Sequence, residues 1–75
     1  MDSLYEKKIG NRIRAIREEK GMTQEVLSAK LQVRGCDITR SALAKIEVGQ
    51  RHLYPDEIKH IKEILNINYE DLFDV

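Results

Sequence analysis

The chain has 75 residues, about half the length of an average domain, so we expect one compact unit over residues 1–75. It carries 13 Lys and Arg against 13 Asp and Glu, and a hydrophobic content of 41% is too high for an ordinary disordered segment. No apolar run approaches the roughly 18 residues of a membrane span, and the acidic opening Met1–Glu6 does not fit a secretory signal. We therefore expect a cytoplasmic protein with no membrane partner. The alternative that these residues are one domain of a longer protein stays open.

The first predicted helix covers residues 4–19. Its apolar residues recur at the spacing of one helix face and are Tyr5, Ile9, Ile13 and Ile16. Gly21 follows, and glycine readily adopts the left-handed conformation just past a helix end. We therefore expect this helix to end before Gly21.

Four further helices are predicted from their starts. Thr23, Thr39 and Asn68 are good N-caps, because a side-chain oxygen at that position can accept a backbone N–H of the first turn. Each is bracketed by two apolar residues in the pattern of a hydrophobic staple. Pro55 marks a further start after Tyr54, which is a poorer cap. The predicted helices span residues 24–32, 40–48, 55–65 and 69–73.

None of these helices is long enough to be stable alone, so they must share one core. No alternating strand pattern persists, and the predicted fold is all-α with five helices. The residues expected to build the core from the last four helices are Val26, Leu27, Leu31, Leu43, Ile46, Ile58, Ile61, Leu65, Leu72 and Phe73.

The zero net charge hides a gradient along the chain. Residues 7–51 carry 11 Lys and Arg against five Asp and Glu, whereas residues 52–75 carry two Lys against six acids. Screening limits the reach of a charge to about 10 Å, so a phosphate backbone responds to the local surplus and not to the average. The gradient permits nucleic-acid binding, although ordinary solvated helix faces would produce it as well.

The segment from Thr23 to Arg51 suits a helix-turn-helix, predicted over residues 23–49. In that arrangement the second helix lies in the major groove of DNA and its side chains contact base edges. Ala42, Leu43 and Ile46 cluster on the side of this helix that would face the core. The opposite side carries Arg40, Ser41, Ala44, Lys45 and Val48.

Small residues at Ala44 and Val48 are unusual on a solvent face, and they would let the helix approach a groove closely. Val48 could contact a thymine methyl group. Arg40 could either donate two hydrogen bonds to guanine or hold a phosphate, and both interpretations stay open.

Two stretches resemble the phage-repressor-like (XRE-type, lambda-repressor-like) helix-turn-helix family. They are Thr23–Leu31, TQEVLSAKL, and Ile38–Gly49, ITRSALAKIEVG. The similarity extends to the helices on either side and so covers most of the chain. It implies a five-helix DNA-binding domain, commonly a transcriptional repressor that binds its operator as a dimer. It also implies that Arg17 and Glu47 form a structural ion pair.

The resemblance further implies roles for exposed residues. Gln24 matches the family's phosphate-anchoring glutamine, and its position at a helix start favours an anion contact. Arg40, Ser41 and Lys45 match positions that face bases or phosphates, and Arg51 resembles a backbone-contacting residue. The full set of expected DNA-contacting residues is Gln24, Arg34, Thr39, Arg40, Ser41, Ala44, Lys45, Val48 and Arg51.

The chain departs from the family pattern in the connection between these two helices. Six residues, 32–37, stand where the family usually has one. Gly35 is expected to supply the positive φ of the usual glycine, and Arg34 is a candidate for an extra phosphate contact. The cap at Thr39 predicts that the next helix restarts in register.

Other chemistries find little support in the sequence. Cys36 is the single cysteine, so it forms no internal disulfide, and we expect it to fill space under the turn. His52 and His60 have no carboxylate at ligand spacing, so no metal site is expected. No nucleophile motif and no glycine-rich phosphate loop occurs, and we expect neither a cofactor nor enzymatic activity.

The C-terminal residues are more apolar than a free tail, namely Tyr69, Leu72, Phe73 and Val75. They either complete the core or also form the face of a homodimer built through the C-terminal helices. A dimer of this kind would place two recognition helices about 34 Å apart on palindromic DNA.

The leading hypothesis is a transcriptional regulator that binds double-stranded DNA. The alternative is a protein-interaction module of the same fold, such as an antitoxin or adaptor, in which DNA binding is secondary. In that case the exposed face of residues 40–48 would be dispensable, and substitution of Tyr69 or Phe73 would abolish partner capture.

Overall fold

The computed structural model describes residues 3–75, so the predicted opening Met1–Glu6 lies partly outside the described residues. The five helices are α1 (Ser3–Glu19), α2 (Gln24–Val33), α3 (Arg40–Glu47), α4 (Pro55–Leu65) and α5 (Tyr69–Phe73). No strand occurs in residues 3–75, and the all-α prediction is confirmed. Three helix ends differ by one residue from the prediction: α1 starts earlier, α2 ends later and α3 ends earlier.

One hydrophobic core joins the helices. Burying each large aliphatic side chain stabilises the fold by roughly 1.5–3 kcal/mol. The core residues are Ile9, Ile13, Ile16, Leu27, Leu31, Cys36, Ile38, Leu43, Ile46, Leu53, Ile61, Leu65 and Leu72. The prediction of Val26 as a core residue is wrong, because the buried face of α2 runs through Leu27, Ser28 and Leu31 and leaves Val26 43% exposed.

Threonine caps start the two central helices, as the sequence predicted. The Thr23 hydroxyl oxygen accepts the Val26 backbone N–H at 3.1 Å, and the Thr39 hydroxyl oxygen accepts that of Ala42 at 3.1 Å. Each bond satisfies one of the four N–H groups that have no partner within the helix. The starts of α2 and α3 are therefore fixed by local chemistry.

The starts of α4 and α5 use an acid instead. A Glu57 carboxylate oxygen accepts the Tyr54 N–H at 3.0 Å, and an Asp71 oxygen accepts the Asn68 N–H at 2.9 Å. In each pair the acid stands three residues after the cap, which is where a capping box places it. The glutamate compensates for the poor capping ability of Tyr54.

Four helices end at a residue in the left-handed conformation, namely Gly21, Gly35, Gly49 and Asn66. At the end of α2 the Gly35 N–H donates to the Gln32 carbonyl at 3.0 Å, and the Cys36 N–H donates to the Leu31 carbonyl at 2.9 Å. These two bonds form a Schellman motif. The predicted positive φ at Gly35 is confirmed, with a value of 81°.

The extended connection between α2 and α3 is anchored to the core. Cys36 and Ile38 are buried, and the Ser28 hydroxyl donates to the Ile38 carbonyl at 2.8 Å. The predicted role of Cys36 as a filler is confirmed. Burial, reinforced by the negative charges of Glu57 and Asp56, raises the pKa of the Cys36 thiol above its ordinary value, so the thiol stays protonated at neutral pH.

The backbones of α1 and α3 cross in direct contact. A Cβ atom at Gly10 would lie 2.1 Å from the carbonyl oxygen of Ile46, far inside van der Waals distance. Only glycine fits at this crossing. The sequence around Gly10 does not indicate this backbone contact.

The C-terminal helix folds back onto α1. The Tyr5 hydroxyl donates to the Phe73 carbonyl at 2.9 Å, and Arg12 Nε donates to the Asp71 carbonyl at 2.8 Å. Leu72 is fully buried, so α5 completes the core. Among residues 3–75 no helix has the length and apolar character that crossing a membrane requires.

Candidate nucleic-acid interface

The exposed side of α3 combines basic and small side chains. Arg40, Ser41, Lys45 and Val48 are exposed and Ala44 is half-buried. Leu43, Ile46 and Glu47 on the other side are buried. The predicted division of α3 into a core side and an exposed side is confirmed.

The start of α3 lies next to the start of α2 in an open groove of about 730 Å³. The end of α1 forms the third wall of this groove. Thr23 and Gln24, at the start of α2, line the groove. Its charged lining residues are Arg14, Arg17, Glu18, Glu25 and Arg40. We call this the N-terminal groove.

Arg14 belongs to the N-terminal groove and was absent from the sequence-based candidates. It precedes Arg17 by one helical turn, so the two side chains lie on the same side of α1. Its Nε lies 3.5 Å from Glu18 Oε2 in an exposed pair. The spacing of Arg14 and Arg17 on α1 is the sequence signal for its place in this groove.

An ion pair links the first turn of α2 to the first residue of α3. Arg40 Nε lies 3.7 Å from Glu25 Oε1, and the two side chains are 66% and 77% exposed. An exposed pair of this kind contributes about 0–1 kcal/mol to stability. The pair therefore adds little to the stability of the fold.

A buried network holds the N-terminal groove together. Glu47, only 1% exposed, accepts Arg17 Nε at 2.8 Å and Arg17 Nη2 at 3.1 Å on its two oxygens. Arg17 Nη1 donates to the Met22 carbonyl at 2.7 Å, and Gln24 Nε2 donates to Glu47 Oε1 at 3.0 Å. The network therefore ties together α1, the α1–α2 connection, the start of α2 and the end of α3.

The positive charge of Arg17 is compensated by the carboxylate of Glu47. Its hydrogen bonds to Glu47 raise the pKa of the Arg17 guanidinium above its ordinary value and outweigh the opposing effect of burial. The arginine is 6% exposed and stays cationic. The ion pair implied by the family resemblance is confirmed.

Arg51, a predicted backbone contact, points into the protein. Its Nη1 and Nη2 donate to the two Glu57 oxygens at 2.9 and 3.0 Å. Burial alone would raise the pKa of Glu57, but the hydrogen bonds from Arg51 and from the Tyr54 backbone N–H outweigh it, and the pKa lies below its ordinary value. Glu57 is therefore ionised at neutral pH, and the pair fixes the start of α4.

Arg34, a predicted extra phosphate contact, lies at the end of α2 opposite Gln24. The ten residues of α2 make these ends roughly 15 Å apart along the axis. Arg34 forms an ion pair with Glu63 and its Nε donates to His60 Nδ1 at 3.2 Å, and both partners are on α4. The structure thus brings Gln24 and Arg40 into one groove, with Thr39 as the N-cap next to Arg40, and places Arg34 elsewhere.

Comparison with known families identifies the family of the chain. A family model described as a helix-turn-helix domain matches residues 10–75. The chain belongs to the helix-turn-helix family. Its type is the XRE, lambda-repressor-like one that the sequence resembles. No curated protein sequence matches the chain significantly.

The fold is also similar to a solved structure, the crystal structure of the DNA-binding domain of BldD. The TM-score is 0.82, and the alignment covers 97% of this chain and 99% of that chain. The sequence identity is 22%, so the likeness concerns the fold.

Within this helix-turn-helix, α2 is the first helix of the motif and α3 is the helix in the recognition position. The longer connection leaves the start of α2 beside the start of α3, as the Glu25–Arg40 pair shows. The described part of the chain contains no group of three or more His, Cys, Asp or Glu side chains suited to hold a metal ion.

Proposed function

We propose that this helix-turn-helix protein is a sequence-specific transcriptional regulator that places α3 in the major groove of double-stranded DNA. The observation that carries the proposal is that the starts of α2 and α3 meet in one groove beside the exposed face of α3. Helix starts carry partial positive charge and free N–H groups, which favour phosphates. The same geometry exposes the side chains of α3 for contact with base edges.

Phosphate contacts would come from the N-terminal groove. The Gln24 side-chain amide has two N–H groups, one of which donates to Glu47. The other remains for a phosphate oxygen, so Gln24 would join the buried network to the DNA backbone. The Thr39 hydroxyl accepts the Ala42 N–H and keeps its own O–H to donate to a neighbouring phosphate. Arg14 would add a cation on the α1 side.

Base contacts would come from the exposed face of α3. Arg40, Ser41 and Lys45 carry donors for base edges or the adjacent phosphates. Ala44 and Val48 are small enough to let the helix enter the groove, and Val48 can contact a thymine methyl group.

Arg34 and Arg51 take a different role in this proposal. Both guanidinium groups are bound to carboxylates of α4, namely Glu63 and Glu57. We propose that they hold α4 against the helix-turn-helix and contribute little to DNA affinity.

The test is the salt dependence of duplex binding by the wild-type protein and two variants. A labelled duplex enriched by the protein from a random-sequence library is titrated at 50 and 200 mM salt and followed by fluorescence anisotropy. With about four phosphate contacts, affinity should fall roughly 100-fold between the two salt concentrations. Lys45→Ala should weaken binding and reduce the salt slope, by about one if Lys45 contacts a phosphate.

Arg34→Ala is the matched control, because it also removes one positive charge but from the α4 side of α2. Its affinity and salt slope should equal those of the wild-type protein. Absent or salt-independent binding to every duplex would refute the proposed function, and an equal loss in both variants would refute the proposed placement of the DNA.

We also propose that the protein binds a palindromic operator as a homodimer and represses transcription by occupying it. Tyr69 and Val75 are 43% and 46% exposed, and the Tyr69 ring stacks on that of Phe73 with centroids 6.3 Å apart. An exposed aromatic surface next to the core favours an isologous contact with a second copy. Repression by occupancy requires only DNA binding, and we propose no cofactor and no catalytic activity, in keeping with a family that is typically non-enzymatic.

Sedimentation equilibrium tests the dimer. The wild-type protein should approach twice its 8.7 kDa mass as its concentration rises, and Tyr69→Asp should remain monomeric. Tyr54→Asp is the control, because Tyr54 is also an exposed tyrosine, 54% against 43% for Tyr69, and lies at the start of α4, away from α5. Monomeric wild-type protein at all concentrations, in solution and on a two-half-site duplex, would disprove the homodimer.

A further inference from the structure

Arg40 has two possible partners on DNA, and they differ in the information they carry. A phosphate contact is the same for every sequence, whereas a bidentate contact to guanine O6 and N7 identifies one base. A free arginine side chain is flexible and samples many rotamers, so nothing in its chemistry alone selects one of the two partners. The choice depends on what surrounds Arg40.

Glu25 approaches Arg40 on the Nε side of the guanidinium group. The 3.7 Å approach is between Glu25 Oε1 and Arg40 Nε. A carboxylate on Nε leaves Nη1 and Nη2 to form the two parallel hydrogen bonds to O6 and N7. Among residues 3–75, Glu25 is the only acidic side chain within ion-pair distance of Arg40.

The negative charge of Glu25 also favours a base over a phosphate as the partner of Arg40. Glu25 lies in the first turn of α2, in the groove where we place the phosphates. A carboxylate there repels a charged phosphate that approaches Arg40 more strongly than it repels the uncharged edge of a base. Specificity commonly combines an attractive contact with the right partner and a repulsive one with the wrong partner.

We propose that Glu25 is a positioning residue that makes the DNA contact of Arg40 selective for one base pair. The inference rests on the proposed function, because it assumes that α3 enters the major groove. Glu25 lowers overall affinity and raises discrimination, and it does so through Arg40 without touching a base.

The experiment measures two quantities for each variant: affinity for the duplex enriched by the wild-type protein, and the ratio of affinities between that duplex and duplexes with single base-pair changes. Arg40→Ala first identifies the position at which Arg40 discriminates. At that position Glu25→Gln, which keeps shape and removes charge, should reduce discrimination about fivefold while raising affinity for the changed duplexes. In the Arg40→Ala background, Glu25→Gln should leave discrimination unchanged.

Glu18→Gln is the matched control. Glu18 lines the same groove but contacts Arg14, at 3.5 Å, and not Arg40. Removing its charge should raise affinity for all duplexes alike and leave the discrimination ratio as in the wild-type protein. Both glutamates are exposed and carry little folding energy, so unchanged thermal melting will confirm that the variants are folded.

Two results would overturn the inference and differ from failure of the proposed function. Equal changes in Glu25→Gln and Glu18→Gln, with discrimination intact in both, would show that Glu25 contributes only general charge. A loss of discrimination by Glu25→Gln that persists without Arg40 would show that Glu25 acts directly. If the wild-type protein enriches no duplex at all, the proposed function fails and this inference fails with it.

Discussion

Replacing Arg17 with methionine is expected to lower the free energy of unfolding by about 3–5 kcal/mol, because the substitution leaves the Glu47 carboxylate buried without its cation. For a domain of this size, that loss corresponds to a melting temperature lower by roughly 15–30 °C. The bond to the Met22 carbonyl would be lost as well. Thermal melting followed by circular dichroism measures the effect.

Arg14→Met is the control, because Arg14 lies one turn earlier on α1 and its pair with Glu18 is exposed. It should change stability by no more than about 1 kcal/mol. The double variant Arg17→Met with Glu47→Leu should recover most of the loss, since an apolar pair of similar volume often replaces a buried ion pair at little cost. An Arg17→Met protein that melts within a few degrees of the wild type would contradict our view of the network.

The second large effect is expected from Gly10→Ala. The added Cβ would lie 2.1 Å from the Ile46 carbonyl oxygen, so α1 and α3 must separate. Overpacking of this kind typically costs about 1–3 kcal/mol and a backbone clash more, while alanine regains only about 1 kcal/mol of helix propensity. We expect a net loss of about 1–3 kcal/mol in urea unfolding at equilibrium.

Asn11→Ala provides the comparison, because Asn11 is the next residue of α1 and is exposed. It gains helix propensity with no clash and should be neutral or slightly stabilising. If Gly10→Ala were as stable as Asn11→Ala, the two helices would not be in backbone contact at this point.

The starts and ends of the helices could be predicted because they depend on a few adjacent residues. Thr23 and Thr39 cap with their own hydroxyl groups, and Gly21 and Gly35 adopt the left-handed conformation in their own turns. The exposed face of α3 could also be predicted locally, because the helical period of about 3.6 residues separates its polar from its apolar positions. The one misplaced core residue, Val26, is adjacent to the true face, where the hydrophobic pattern alone does not distinguish the two positions.

Features that join distant segments could not be predicted from the residues themselves. Gly10 contacts a residue 36 positions later, and nothing in its local sequence distinguishes it from a glycine that merely weakens a helix. Arg34 and Arg51 were predicted to contact phosphates because the sequence alone does not reveal their ion pairs with carboxylates of α4. The Arg17–Glu47 pair was implied only by the family resemblance, since 30 residues separate the two.

The buried Glu47 carboxylate joins α3 to two other segments, at the end of α3 that lies farthest from the long α2–α3 connection. It binds α1 through Arg17 and the start of α2 through Gln24 while belonging to α3 itself. The orientation of α3 is therefore held at both ends, by this network at its end and by the buried Ile38 and its bond from Ser28 before its start. We therefore expect the orientation of α3 to tolerate changes in the length of the connection as long as both anchors remain.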